Sequence, residues 1–205
     1  MRFGVLFFGY LWLFVCNGFG LYPDILPDII PNVVGYTLML YALMRLEGHG
    51  RNFRTAGNIL YLLIMFVMFN DLYKIYNFTT SGTDSEVVGV IVMTVKIITM
   101  VISAAYHHYL FTGIRLLAID VNIPSLAKAS KVNFGLLIVV NLLFIISQLK
   151  LFGEYNNYVG LVQVLLNMVW LISTLVMVYR CYMWICLEGE EDMPKKDKSG
   201  RNRKF

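Results

Sequence analysis

The sequence predicts an all-α polytopic membrane protein: a bundle of six transmembrane helices with both termini in the cytoplasm. Three observations carry that expectation. Hydrophobic residues make up 58% of the 205-residue chain and charged residues only 15%, against about 45–50% and about 25% in soluble domains. The apolar residues fall into blocks of about 20, enough to cross a ~30 Å hydrocarbon core as a helix. The basic residues concentrate in alternate connections, as the preference of Lys and Arg for cytoplasmic loops requires.

The blocks cover residues 3–21, 27–46, 58–78, 87–109, 132–149 and 158–185. The first follows Met1-Arg2 but carries no small-residue cleavage pattern, so it is expected to be a retained helix rather than a signal peptide. Arg45, Arg51 and Arg54 follow the second block, and Arg115, Lys128 and Lys131 follow the fourth. Lys195, Lys196, Lys198, Arg201, Arg203 and Lys204 follow the sixth, whereas the alternate connections hold only Lys74 and Lys150. Residues 1–187 therefore read as the transmembrane domain and 188–205 as a charged cytoplasmic tail, expected to be disordered. That tail turns from acidic to basic; it either sets topology or also holds to anionic lipid. Residues 87–119 exceed one span, so the fourth helix should project into the cytoplasm or break near Gly113, and Pro124 and Ser125 then start the run into the fifth helix. Three cysteines, Cys16, Cys181 and Cys186, form no C-x-x-C pair and read as small apolar packing residues. Asn77-Phe78-Thr79 matches a glycosylation sequon, relevant only in a eukaryotic host.

Between the first two blocks stands "YPDILPDIIP", residues 22–31. Proline lacks an N–H and clashes with the preceding turn, so Pro27 and Pro31 cannot both lie inside one regular helix. The second helix is expected to start near one of them, with Asp28 or Asn32 in its opening turn. A start only at Pro31 leaves a helix too short to span, and the preceding residues would then dip into the outer face of the membrane.

The stretch "IPNVVGYTLMLYAL" that follows, with "YPDIL" upstream and "TGIRLLA" later, resembles a largely uncharacterised group of small multi-pass membrane proteins of Firmicutes with an LPDxIGY-like motif. The resemblance implies a bacterial cell-membrane protein of this layout and no particular activity. Asn32 stands where that group usually has aspartate.

Charges inside a membrane cost about 2.5–3.5 kcal/mol each, so each asks for a partner or a water-filled cavity. Lys96 falls about 15 Å from the outer end of the fourth block, near the midplane. Lys96, Thr99, Ser103 and His107 share one helical face. Gln163, Asn167 and Thr174 share another on the sixth helix, and Asn141 and Gln148 a third on the fifth. With Asn70 and Asp71 of the third helix, these residues are expected to line an outward-facing polar cleft with Lys96 paired to Asp71. The alternative is that the amides are interhelical hydrogen bonds holding the bundle together. Asp24 and Asp28 are either cation ligands or turn and helix-start residues. Adjacent His107 and His108 point about 100° apart on a helix, which suits an interfacial belt with Tyr106 and Tyr109 better than shared metal ligation. No metal-ligand spacing is present, and no cofactor is expected.

The sequence holds no G-x-S-x-G elbow, phosphate loop or dinucleotide-binding glycine pattern, and no catalytic residue is assigned. The leading expectation is an accessory subunit or sensor of a larger membrane complex, whose surroundings are the lipid bilayer and a membrane-protein partner. The alternative is a unit that binds or transports a small anionic or zwitterionic solute around Lys96. Its size and topology resemble the substrate-binding subunits of energy-coupling-factor transporters. A membrane-embedded enzyme is the third reading, and no feature suggests nucleic acid.

Overall fold

The structure, a computed structural model, describes residues 2–18, 29–79, 86–148 and 156–185, almost wholly helical and with no strand among them. Six α-helices follow in order: α1 (Arg2–Gly18), α2 (Ile29–Leu46), α3 (Arg51–Thr79), α4 (Glu86–Asp120), α5 (Pro124–Gln148) and α6 (Asn156–Trp184). Four stretches within them are long and apolar enough to cross a bilayer: Arg51–Tyr73, Val90–Asp120, Pro124–Ser147 and Tyr158–Trp184. Helices α1 and α2 are shorter, with an apolar run Phe3–Cys16 in the first. Large apolar side chains such as Phe8, Met44, Met65 and Leu161 point outward, as they would toward lipid.

Each helix packs on the next in sequence, and α6 closes back on α1. The contacts pair antiparallel throughout: Trp12 with Pro31, Asn32 with Asp71, Asn70 with Thr99, Ser130 with Phe111, Asn133 with Ser173, and Phe7 with Tyr179 across α1 and α6. Helices α4 and α6 consequently run parallel, on either side of α5.

Two connections are described. Between α2 and α3 a single 3₁₀ turn, Glu47–His49, suffices. Between α4 and α5 the chain turns at Asn122, which holds a left-handed φ of 58°. The Ile123 N–H reaches the Ala118 carbonyl at 2.7 Å and the Asn122 N–H the Ile119 carbonyl at 3.0 Å, a Schellman stop. Pro124 then opens α5, where its missing N–H costs nothing.

Several elements differ in extent from the sequence expectation. Helix α3 begins at Arg51 rather than residue 58, because a polar first turn continues the apolar helix into the connection, whereas α5 begins at Pro124, where the run into the fifth helix was expected to start. Helix α4 does not break at Gly113. It runs unbroken to Asp120, and Gly113 lets the Phe53 ring approach, since an added Cβ would sit 3.0 Å from it. Helix α2 starts at Ile29, so Pro31 lies in its first turn. The earlier prolines, Asp24, Asp28, Cys186 and the tail 188–205 lie outside the described residues.

The core is concentrated at one end. Phe3, Leu46, Phe53, Leu110, Ile114, Ala118, Leu126, Val178 and Ile185 pack together beside the two described turns. At the opposite end, residues 90–105 of α4, 141–147 of α5 and 158–169 of α6 include no buried side chain. Among the described residues only α1, α2 and α3 bury side chains there, at Cys16, Pro31, Asn32 and Asp71. The ring of helices is closed at the turn end and loosened at the other.

Candidate functional site

Between those two ends lies a cavity of about 290 Å³, close to the lower limit of ~300–1,000 Å³ for small-molecule sites. Five helices wall it: α1 contributes Tyr10, α2 Tyr36, α3 Leu63, α4 Ser103, Tyr106 and His107, and α6 Asn167 and Trp170. The rest of the wall is apolar, with Met39, Met168 and Leu171 among its residues. Among the described residues, no Lys, Arg, Asp or Glu lines it.

Its polar groups have assignable roles. The Tyr10 and Tyr106 hydroxyls meet at 3.3 Å across the bundle, joining α1 to α4. His107 is 5% exposed and stands in an aromatic box, with ring centroids at 4.7 Å to Tyr106, 5.0 Å to Trp170 and 5.5 Å to Phe111. Its Nδ1 lies 2.8 Å from the Ser103 carbonyl oxygen. A carbonyl can only accept, so the hydrogen sits on Nδ1, and Nε2 of the neutral imidazole is left as an acceptor. That Nε2 has no protein partner, and neither does the Nε1–H of Trp170, itself 7% exposed. A buried polar atom without a partner costs about 1–3 kcal/mol. Both rings line the cavity and meet edge to face, while the two nitrogens themselves are shielded from it by the packing around them.

Polar faces on α4 and α6 lead to this point. Lys96, Thr99, Ser103 and His107 pass from exposed through half-buried to buried, and Gln163, Asn167, Trp170 and Thr174 pass from half-buried to buried. Because α4 and α6 run parallel, both faces deepen toward the packed end. Their spacing follows the helical repeat.

The sequence-predicted residues separate into distinct groups. Asn167 lines the cavity. Gln163, one turn outward, and Asn141 on α5 are half-buried and outside the lining. Asn70 donates to the Phe66 carbonyl and to Thr99 Oγ1, both at 3.2 Å, a tie between α3 and α4. Asp71, 2% exposed, accepts from Asn32 Nδ2 at 2.7 Å. Lys96 is exposed and makes no ion pair with Asp71 among the described residues, so the expected pair is replaced by an Asn32–Asp71 pair between α2 and α3. Asn32 thus acts across helices, through the carboxylate. Asp24 and Asp28 lie outside the described residues.

His107 is a second correction. It is buried on the face opposite lipid rather than in an interfacial belt, and only His108 is exposed. Sequence reasoning passed over Tyr10, Tyr36 and Trp170 and put Tyr106, which is fully buried, in an interfacial belt. Trp170 could have been found, since it falls three residues after Asn167 and four before Thr174 on one face. The tyrosines lacked any such signal, being alike in sequence to the chain's exposed tyrosines.

The fold and cavity define a helical protein with membrane-length helices arranged around an aromatic pocket. No protein-family model, curated protein or solved structure matches the chain.

Proposed function

We propose that this chain is a six-helix integral membrane protein whose central cavity binds a small solute for sensing or transport. The carrying observation is the ~290 Å³ cavity walled by five helices, with Tyr10, Tyr36, Tyr106, His107 and Trp170 in its lining. It favours the solute-binding reading over the accessory one, and moves the expected site from Lys96 to His107 and Trp170. In this reading all six helices span, both termini are cytoplasmic, and the loosened end faces outward. The basic side chains support that orientation: Arg45, Arg51, Arg54, Arg115, Lys128, Lys131 and Arg180 all belong to the packed end. A bacterial cell membrane and kinship with the LPDxIGY-like group are part of the same proposal.

A second reading, an accessory subunit, has its own observation. Asn141 and Gln163 sit half-buried at membrane depth and make no hydrogen bond among the described residues. Polar amides there fit a neighbouring membrane helix. One experiment separates the two: purification in mild detergent from the native host, with mass spectrometry of co-eluting proteins and small molecules. A defined small molecule on the isolated protein supports solute binding. A stoichiometric membrane protein without a small molecule overturns it in favour of the subunit.

A further inference from the structure

The open polar groups of the cavity narrow what it can hold, on the premise of the binding role just proposed. Most polar groups in the lining are engaged or enclosed. The Tyr10 and Tyr106 hydroxyls meet each other, and His107 Nδ1 meets the Ser103 carbonyl. His107 Nε2 and Trp170 Nε1 are enclosed by packing, so both rings offer the cavity carbon surface only. Asn167 differs. It lines the cavity half-buried, its carboxamide makes no hydrogen bond among the described residues, and neither its oxygen nor its nitrogen is enclosed. The Tyr36 hydroxyl, on α2, is in the same condition.

Both open groups are neutral. Among the described residues the lining holds no charged side chain, and Lys96 stands two turns outward from Ser103, about 10 Å along α4, where it is exposed. An ion carried into the cavity would lose its hydration without a counter-charge, which low-dielectric surroundings penalise heavily. The occupant is therefore uncharged. A carboxamide carries its donor and its acceptor in one plane, so its fullest complement is a second amide, which exchanges both hydrogen bonds with it. The rest of the wall, with Leu13, Phe14, Met39, Leu63 and Leu171, accepts an apolar body.

We infer that Asn167 is the recognition residue of the cavity, and that the cavity takes a small neutral amide on an apolar body, its amide group on the Asn167 side chain. Sites that hydrogen-bond a buried ligand reject analogues lacking the group, because their own polar atoms are then left unpaired.

The test uses the full chain in lipid nanodiscs, with binding read by equilibrium dialysis above that of empty nanodiscs of the same lipid. Three probes share one shape: naphthamide is a neutral amide, isopropenylnaphthalene its hydrocarbon counterpart, and naphthoate the anion. Naphthamide should bind about tenfold more tightly than the hydrocarbon, the difference expected for a net hydrogen bond, and more tightly than naphthoate. Asn167→Leu, similar in size, should weaken naphthamide about tenfold and leave the hydrocarbon bound as before, which also shows the cavity intact. Gln163→Leu, whose amide is equally free but lies outside the lining, should leave all three probes unchanged. Equal binding of naphthamide and the hydrocarbon by the parent protein overturns the amide class while leaving a binding cavity in place, and that comparison needs no variant to fold. A naphthamide preference that survives Asn167→Leu, or falls equally in Gln163→Leu, overturns the assignment to Asn167. Naphthoate binding most tightly, with that preference lost in Lys96→Met, overturns it in favour of an anion site at Lys96. Failure of all three probes also overturns it, and the binding role is then judged separately by what co-purifies with the protein.

Discussion

The two ends of this bundle are built from similar residues and behave differently. At the turn end, Phe3, Leu46, Phe53, Ile114 and Val178 are buried together, and short connections hold α2 to α3 and α4 to α5. At the other end, α4, α5 and α6 bury nothing between residues 90–105, 141–147 and 158–169, although their sequences are as apolar. In lipid, exposing Leu or Val costs little, because the surroundings are as apolar as a core. Apolarity therefore does not force these helices together. What closes one end is shape, through Gly113 against Phe53 and the turn geometry. What ties the other is a few polar pairs. The cavity falls at the boundary, where a buried base meets walls whose α4, α5 and α6 side chains are no more than half-buried.

That contrast can be broken by substitution. The largest effect should come from Phe53→Ala, which removes a buried ring packed edge-on to Phe3 at 6.3 Å. About 3–5 kcal/mol of destabilisation is expected, against under about 0.5 kcal/mol for Leu142→Ala on the open end. Unfolding by titration with sodium dodecyl sulfate measures both, and equal losses would dissolve the distinction between the two ends.

Next is Asn32→Leu, which takes a hydrogen-bond donor from the buried Asp71 carboxylate. It should cost about 1.5–3 kcal/mol. Adding Asp71→Leu should recover part of that loss, since both polar partners are then gone. A double variant weaker than the single one would show that Asp71 acts through another group. Smaller again is Asn70→Leu, which unties α3 from α4; about 0.6 kcal/mol is expected, the average for such bonds in membranes.

The smallest effect belongs to Lys96→Met. An exposed lysine without an ion pair to Asp71 should leave stability within about 0.5 kcal/mol of the parent. A much larger loss would restore Lys96 to a structural role.

The fold was legible where the signal was repetitive. Blocks of apolar length and alternating basic residues gave the helices, and the three- and four-residue spacings gave the polar faces of α4 and α6. Helix ends were less legible, because a polar first turn such as Arg51–Ala56 carries no apolar signal. Partners were the least legible. Lys96 and Asp71 are opposite charges at similar depth, and their pairing seemed dictated by cost, yet Asn32 on α2 is nearer to the carboxylate. Which side chains meet depends on helix rotation and inter-helix register, and a single sequence does not encode these locally. The cavity is emergent in the same sense: Tyr10, Tyr106, His107 and Trp170 come from three helices and share no motif.

The claim that the boundary cavity is a reachable binding site can be tested most directly at Trp170. The chain has three tryptophans, and Trp12→Phe with Trp184→Phe leaves Trp170 as the sole emitter. In nanodiscs, acrylamide should quench Trp170 fluorescence, because the Trp170 side chain lines the cavity. A tryptophan that acrylamide cannot reach would mean a sealed core and contradict the account.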